Sequence, residues 1–246
     1  MTRILASGGL DGPPNTLRAF TACLDAGLDG FSLDVRLSRD AELVVIRDAT
    51  VDGTSDGRGA VDELTLAELQ RLDVGRDGCA ERIPTLHEVL DLVEGADALV
   101  TVEVHEAPRH GPGVSPTAVA AAELLRSREL GDRVVLSSYR HDSLAALKLA
   151  DPTLRIGARH VAQLADAGGY LREVGADVSM PVSLAVTPGT LAEARAGGVQ
   201  VHAWTVSAPG WPVSESAQID ALLDLEVDAV ITGDPRRAIA RREASA

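Results

Sequence analysis

The feature that most constrains this chain is a regular alternation of strand-like and helix-like segments, joined by short connections, along its whole length. Apolar, β-branched runs at residues 3–7, 30–37, 43–47, 98–104, 133–138, 154–158, 177–180, 200–206 and 229–232 read as strands. Between them lie segments with apolar residues at 3–4 spacing. Leu17, Phe20, Leu24 and Leu28 mark the first helix, which Gly27 closes. Thr65 with Glu68, and Thr85 with Glu88, have the spacing of capping boxes and predict helices over 64–72 and 86–93. Further helices are expected at 117–127, 141–149, 187–196, 216–225 and 235–243, and a short one at 161–165. Strands that alternate with helices indicate a parallel sheet covered by its own crossovers. The length, 246 residues, suits one (β/α)8 TIM barrel. No linker, low-complexity tract or repeat divides residues 1–246, so a single domain is expected.

Nine strand candidates exceed the eight places of such a barrel. The turn between 30–37 and 43–47 is too short for a crossover helix, because a parallel pair needs a connection of roughly a dozen residues or more. One member of that pair, near 42–47, is therefore expected to be a hairpin-like strand at the rim. The same stretch carries chemistry. Asp34 sits inside an apolar run, where a lone carboxylate is costly without a partner, and Arg47-Asp48 closes the next run. Glu103 ends the strand 98–104, and His105, two residues on, shares its face. Strand C-termini are where barrels of this kind build their sites.

Composition narrows the partners. The formal charge is −14, from 37 acidic and 23 basic residues, a field that repels nucleic acid and anionic membrane surfaces. Aromatic residues are 2% of the chain, too few for base-stacking platforms. No run of 18 apolar residues predicts a membrane span, and the N-terminus lacks a signal-peptide pattern, so a cytoplasmic protein is expected. Cys23 and Cys79 are too few for a disulfide framework or a thiolate metal centre.

Several runs together resemble the glycerophosphodiester phosphodiesterase family, whose fold is a (β/α)8 barrel. They are Pro13-Pro14-Asn15-Thr16-Leu17-Arg18-Ala19-Phe20, Asp34-Val35, Val44-Val45-Ile46-Arg47-Asp48, Gly57-Arg58-Gly59 and Leu64-Thr65-Leu66-Ala67-Glu68-Leu69. Then follow Ile83-Pro84-Thr85-Leu86-His87-Glu88-Val89-Leu90, Val102-Glu103-Val104, Val201-His202-Ala203-Trp204-Thr205-Val206 and Val227-Asp228-Ala229-Val230-Ile231-Thr232. The order holds from residue 4 to residue 235. The resemblance implies a mechanism in which two His act as general acid and base and carboxylates hold a divalent cation. Here the His-Arg-Gly of the family reads Ser7-Gly8-Gly9, and its Pro-Glu-Asn-Thr has Pro14 for Glu. Its Glu-x-Asp reads Ser32 and Asp34, its His-Asp reads Arg47-Asp48, and its Glu-x-Lys reads Glu103 and His105. Both His, one ligand Glu and the phosphate-contacting Arg are absent.

Neither Ser7 nor Arg47 can serve as a general base near neutral pH. The expectation is a degenerate, inactive phosphodiesterase barrel with a pocket for a small phosphate- or carboxylate-bearing ligand. Ser7, Gly8, Asp34, Arg47, Glu103, His105 and Trp204 are its candidate lining. If the mouth keeps a chemistry, His105, Asp48 and Arg47 are the candidates to carry it, in a lyase, isomerase or cyclase type of step. A non-catalytic interaction or regulatory role is the third alternative. Asp34 and Glu103, with Asp48, could hold a weak Mg²⁺ or Ca²⁺ through waters; the preferred expectation is that Arg47 pairs with them and stands where the metal would sit. Of the other His, His160 could reach the mouth, His202 is expected in the core or bottom rim, and His87, His110 and His141 have structural readings. The Gly8-Gly9 pair either opens backbone amides to an anion or simply makes a turn.

Overall fold

The computed structural model describes residues 1–75, 78–106, 113–128 and 130–244. Strand β1 (Arg3–Ser7) leads through a glycine turn to helix α1 (Leu17–Asp25), and β2 (Gly30–Leu37) is followed by the short β3 (Leu43–Val45). Helices α2 (Leu66–Leu69) and α3 (Leu86–Val93) precede β4 (Leu99–Val104). The remaining order is α4 (Pro116–Arg126), β5 (Val134–Ser138), α5 (His141–Ala150), β6 (Ile156–His160), α6 (Ala167–Val174), β7 (Val178–Pro181), α7 (Pro188–Ala196), β8 (Gln200–Trp204), α8 (Glu215–Asp224), β9 (Ala229–Thr232) and α9 (Pro235–Glu243). Eight strands pair in parallel in the order β1-β2-β4-β5-β6-β7-β8-β9, and β9 returns to β1, which closes the barrel. Strand β3 runs antiparallel on β2, with Val35 opposite Val45, outside the closed ring. The (β/α)8 barrel and its extra rim strand are thus as the connection lengths require.

The period-2 alternation of each strand divides the core. Outward residues such as Phe31, Leu33, Val100, Val102, Leu136, Ile156 and Val201 pack beneath the helices. There Phe20 of α1 stacks on Phe31 at 4.5 Å between ring centroids. Inward residues Leu5, Leu99, Val135, Val178, Met180, Ala229 and Ile231 fill the barrel, with Trp204 packed against them. Each Val, Leu, Ile, Phe or Met side chain so removed from water stabilises by about 1.5–3 kcal/mol. A Cβ on Gly157 would lie 2.5 Å from Met180 Sδ and 2.9 Å from Val135 Cγ1, so β6 can enter this layer only with glycine there.

Both expected capping boxes form. Thr65 accepts from the Glu68 amide and Thr85 from the Glu88 amide, while each Glu accepts from the cap amide. The helix between β6 and β7 is displaced from the expected 161–165 to Ala167–Val174. Gly168 and Gly169 depress its helix propensity, but Asp166 caps it by accepting from Gly169 N, and Leu171 and Val174 bury against the barrel. Gly168 keeps the approach of α6 to α7 close, since a Cβ would come 3.1 Å from the Glu193 carbonyl oxygen.

Candidate functional site

The C-terminal ends of β2, β4 and β6 bring together four charged or titratable side chains. On β2, Asp34 faces inward two residues above Ser32; on β4, Glu103 faces inward two residues above Thr101, and the two carboxylate residues are register partners. His105 extends β4, its amide donating to the Val35 carbonyl at 3.0 Å, so it follows Glu103 on the same face. Its Nε2 lies 2.7 Å from Asp34 Oδ1 and 3.5 Å from Glu103 Oε1. On β6, Arg159 turns inward and its Nη1 reaches Glu103 Oε2 at 2.9 Å. Asn15, in the turn before α1, holds Asp34 from the other side. Its Nδ2 donates to Asp34 Oδ2 at 2.9 Å and its Oδ1 accepts from the Asp34 amide.

These contacts set the electrostatics. Burial would raise the Asp34 carboxyl, but the His105 and Asn15 hydrogen bonds, with the Arg47 charge further off, bring it below the usual carboxylate range. Burial lifts the Glu103 carboxyl above its ordinary value; Arg159 opposes this and the neighbouring Asp34 reinforces it. Arg159 itself is 7% exposed. Its Cζ lies 4.7 Å from the centroid of the Trp204 ring and 5.4 Å from that of Tyr139, an arrangement favourable for cation–π attraction. Trp204 donates from Nε1 to the Met180 carbonyl and meets Tyr139 edge-on, so the indole wall of the slot around the guanidinium is anchored.

The expected pairing of Arg47 with the carboxylates is corrected by this geometry. Arg47 is exposed on the rim, and the cations that meet Asp34 and Glu103 are His105 and Arg159. The reason is anchoring. The Arg47 carbonyl accepts from Arg36 Nε at 2.8 Å, while Arg36 Nη1 donates to the Glu106 carbonyl, clamping the end of β3 to the segment after β4. Asp48 is also exposed at the rim. Ser7, Gly8, Asn15, Asp34, Arg47 and Asp48 line a cavity of about 260 Å³ between the mouth and β3. Glu103, His105 and Trp204 do not line it, although Glu103 and His105 each bring a polar atom within 4.8 Å of Asp34, which does.

The glycine pair is a turn. Gly8 and Gly9 have φ of +73° and +107°, the Gly8 amide donates to the Ser32 carbonyl, and a Cβ on Gly9 would strike Ala19 at 2.5 Å. His160 points away from the mouth, its ring nitrogens meeting Ser179 Oγ and the Ala162 carbonyl. His141 opens α5 and bonds the Arg159 carbonyl and the Tyr170 hydroxyl; His87 is exposed on α3. His202 is buried at the opposite end of the barrel, as expected. His110 lies outside the described residues. Arg159, Asn15, Arg36 and Tyr139 were not among the sequence candidates. Arg159 carried a signal: extending the strand at 154–158 by one residue places an arginine on the inward face with Gly157.

Asp34, Glu103 and His105 each offer an atom within 4.8 Å of the others, which is the donor set available to the divalent cation that the resemblance implies. It does not fit a hard cation well. Such ions take six or more oxygens, and here Ser32 replaces one carboxylate. Both Asp34 oxygens are engaged by His105 and Asn15, and Glu103 is already met by a guanidinium.

The sequence model of the glycerophosphoryl diester phosphodiesterase family matches residues 8–237. A glycerophosphodiester phosphodiesterase of Caldanaerobacter subterraneus subsp. tengcongensis is 32% identical over 231 residues, covering 92% of this chain and 91% of that protein. One from Bacillus altitudinis is 30% identical over 252 residues, covering 99% of each. Among solved structures, a putative glycerophosphoryl diester phosphodiesterase from Silicibacter pomeroyi superposes with a TM-score of 0.86 at 22% identity, covering 100% of this chain and 94% of that one. An Oleispira antarctica phosphodiesterase, solved in complex with the product sn-glycerol-3-phosphate, gives 0.83 at 22% identity, covering 99% and 97%. The barrel, its rim strand and a match that spans nearly every residue place the chain in the glycerophosphoryl diester phosphodiesterase family.

Proposed function

We propose that this barrel binds a small phosphate- or carboxylate-bearing molecule at its mouth and does not hydrolyse glycerophosphodiesters by the family's two-His route. The observation that carries this reading is the identity of the groups at the two proton-handling positions. Ser7 and Arg47 stand there, both exposed, and neither can exchange a proton near neutral pH. A positioned acid or base contributes about 10²–10⁴-fold each, so loss of both removes most of the catalysis. The cavity beside Asp34 and the rim cation Arg47 support the binding part. So does the sn-glycerol-3-phosphate held by the related Oleispira antarctica barrel. The test is release of choline from glycerophosphocholine with Mg²⁺ or Ca²⁺ present. The expected rate is indistinguishable from background. Turnover that Asp34→Ala abolishes would overturn the reading.

A second reading has one observation in its favour. His105 Nε2 sits 2.7 Å from Asp34 Oδ1, so a donating Nε2–H leaves Nδ1 as a basic nitrogen oriented by a carboxylate. That pair could move a proton in an elimination or isomerisation. In this case His105→Gln would abolish turnover of such a substrate while leaving its binding intact.

A further inference from the structure

Two buried carboxylates side by side need compensating positive charge. Asp34 and Glu103 are such a pair, neighbours in register across β2 and β4. By the resemblance, a divalent cation supplies that charge in this family. Here the chain supplies it from β6.

We propose that Arg159 is a built-in counter-ion that takes the place of the divalent cation and excludes it from Asp34, Glu103 and His105. The guanidinium is 2.9 Å from Glu103 Oε2, inside the barrel, with both side chains about nine-tenths or more buried. A cation bound to Glu103 would have to share that carboxylate with a fixed positive charge or displace it. Displacement has no good destination. The guanidinium is held against Trp204 and Tyr139, and its Nε already lacks a protein partner. Pushed off Glu103, it would remain in that slot as an unpaired buried charge, at a cost of several times the value of a surface ion pair. The strand end cannot easily shift either. The Arg159 carbonyl is bonded by His141 at 2.7 Å, and Arg159 stays in register with Met180 of β7. Two residues back along β6, on the same inward face, the tight space at Gly157 closes the layer beneath. Arg47 adds a second positive charge at longer range to both carboxylates. The unpartnered Nε–H is a donor left over, suited to an anion bound without metal.

This inference rests on the reading that the mouth no longer carries out metal-assisted hydrolysis, but its test reads cation binding rather than turnover, so the two can fail separately. The full-length protein is stripped with EDTA and titrated with MgCl2, CaCl2 or MnCl2 to millimolar concentration, following Tm and heat of binding. The wild type is expected to show no saturable cation-dependent change. Arg159→Gln and Arg159→Met are expected to gain a saturable rise in Tm of about 5 °C, which Asp34→Asn in the same background removes. Arg159→Lys keeps the charge and is expected to stay unresponsive. Saturable binding to the wild type that Asp34→Asn removes overturns the inference. So does folded Arg159→Gln or Arg159→Met that gains nothing. If neither of those two folds, cation binding by Arg159→Lys overturns it, and unresponsive wild type and Arg159→Lys uphold it.

Discussion

The two ends of this barrel handle buried charge in opposite ways. At the C-terminal mouth, Asp34 and Glu103 keep little exposure, and each meets a side chain able to carry positive charge, His105 or Arg159. At the N-terminal base, a wide cup of about 1090 Å³ is lined by Arg3, Lys148, Arg155, Asp177, Gln200 and His202, among others. Most of those charges stay near solvent, and Lys148 and Asp177 pair at its edge. Among the described residues of that cup, His202 is buried to 2% exposure, and the charges that act on its ring are those of Arg155 and Arg3. Burial, with Arg155 and then Arg3 adding repulsion, pushes its pKa down to about 3, so it stays neutral. A charge can be kept in a dry layer when its partner is built in; where burial is joined by charges of like sign, the group gives up the charge instead.

The comparison breaks first at His202. Its folded-state pKa is depressed, so between about pH 6.5 and about 3 the unfolded chain takes up a proton that the folded barrel refuses. Stability attributable to this group is therefore present above pH 6.5 and is lost as pH falls through that window, by at most about 5 kcal/mol. Urea unfolding of His202→Leu across pH 7 to 4 should show a shallower acid loss than the wild type. Parallel curves would mean the imidazole is protonated in place.

The mouth is tested by removing one partner. Glu103→Gln leaves the Arg159 guanidinium buried without its counter-charge and is expected to cost about 3 kcal/mol at neutral pH. A loss below about 1 kcal/mol in urea melts would place this pair with surface ion pairs and erase the contrast between the two ends. The smallest effect belongs to the base. Lys148→Met removes a pair whose Asp177 side chain is 36% exposed, so the expected loss is below about 1 kcal/mol and should shrink as salt is added.

Much of this architecture was legible from local pattern. The alternation of elements, the short turn before residue 43 and the strand periods sufficed for the closed barrel and its rim strand, because connection length and side-chain period are local quantities. The same period placed Asp34, Glu103 and His105 on inward faces at the mouth, and the residue types at 7 and 47 were readable without coordinates. The helix at Ala167–Val174 was not legible, since its glycines answer to Glu193 on the next helix and to the Asp166 cap rather than to propensity.

What the sequence determined by itself was therefore the frame and the inventory: a family barrel, two carboxylates at strand ends, and no imidazole at either proton-handling position. Which cation meets which carboxylate was decided only by the tertiary structure. Arg47 is near Asp34 in the chain and still faces the rim, because Arg36 anchors its backbone at the end of β3. Arg159 is distant in the chain and reaches Glu103, because strand order and register set β6 one strand beyond β5 at the same mouth, with Arg159 on the inward face. That pairing depends on the shear of a closed sheet, and no local spacing in the sequence encodes it.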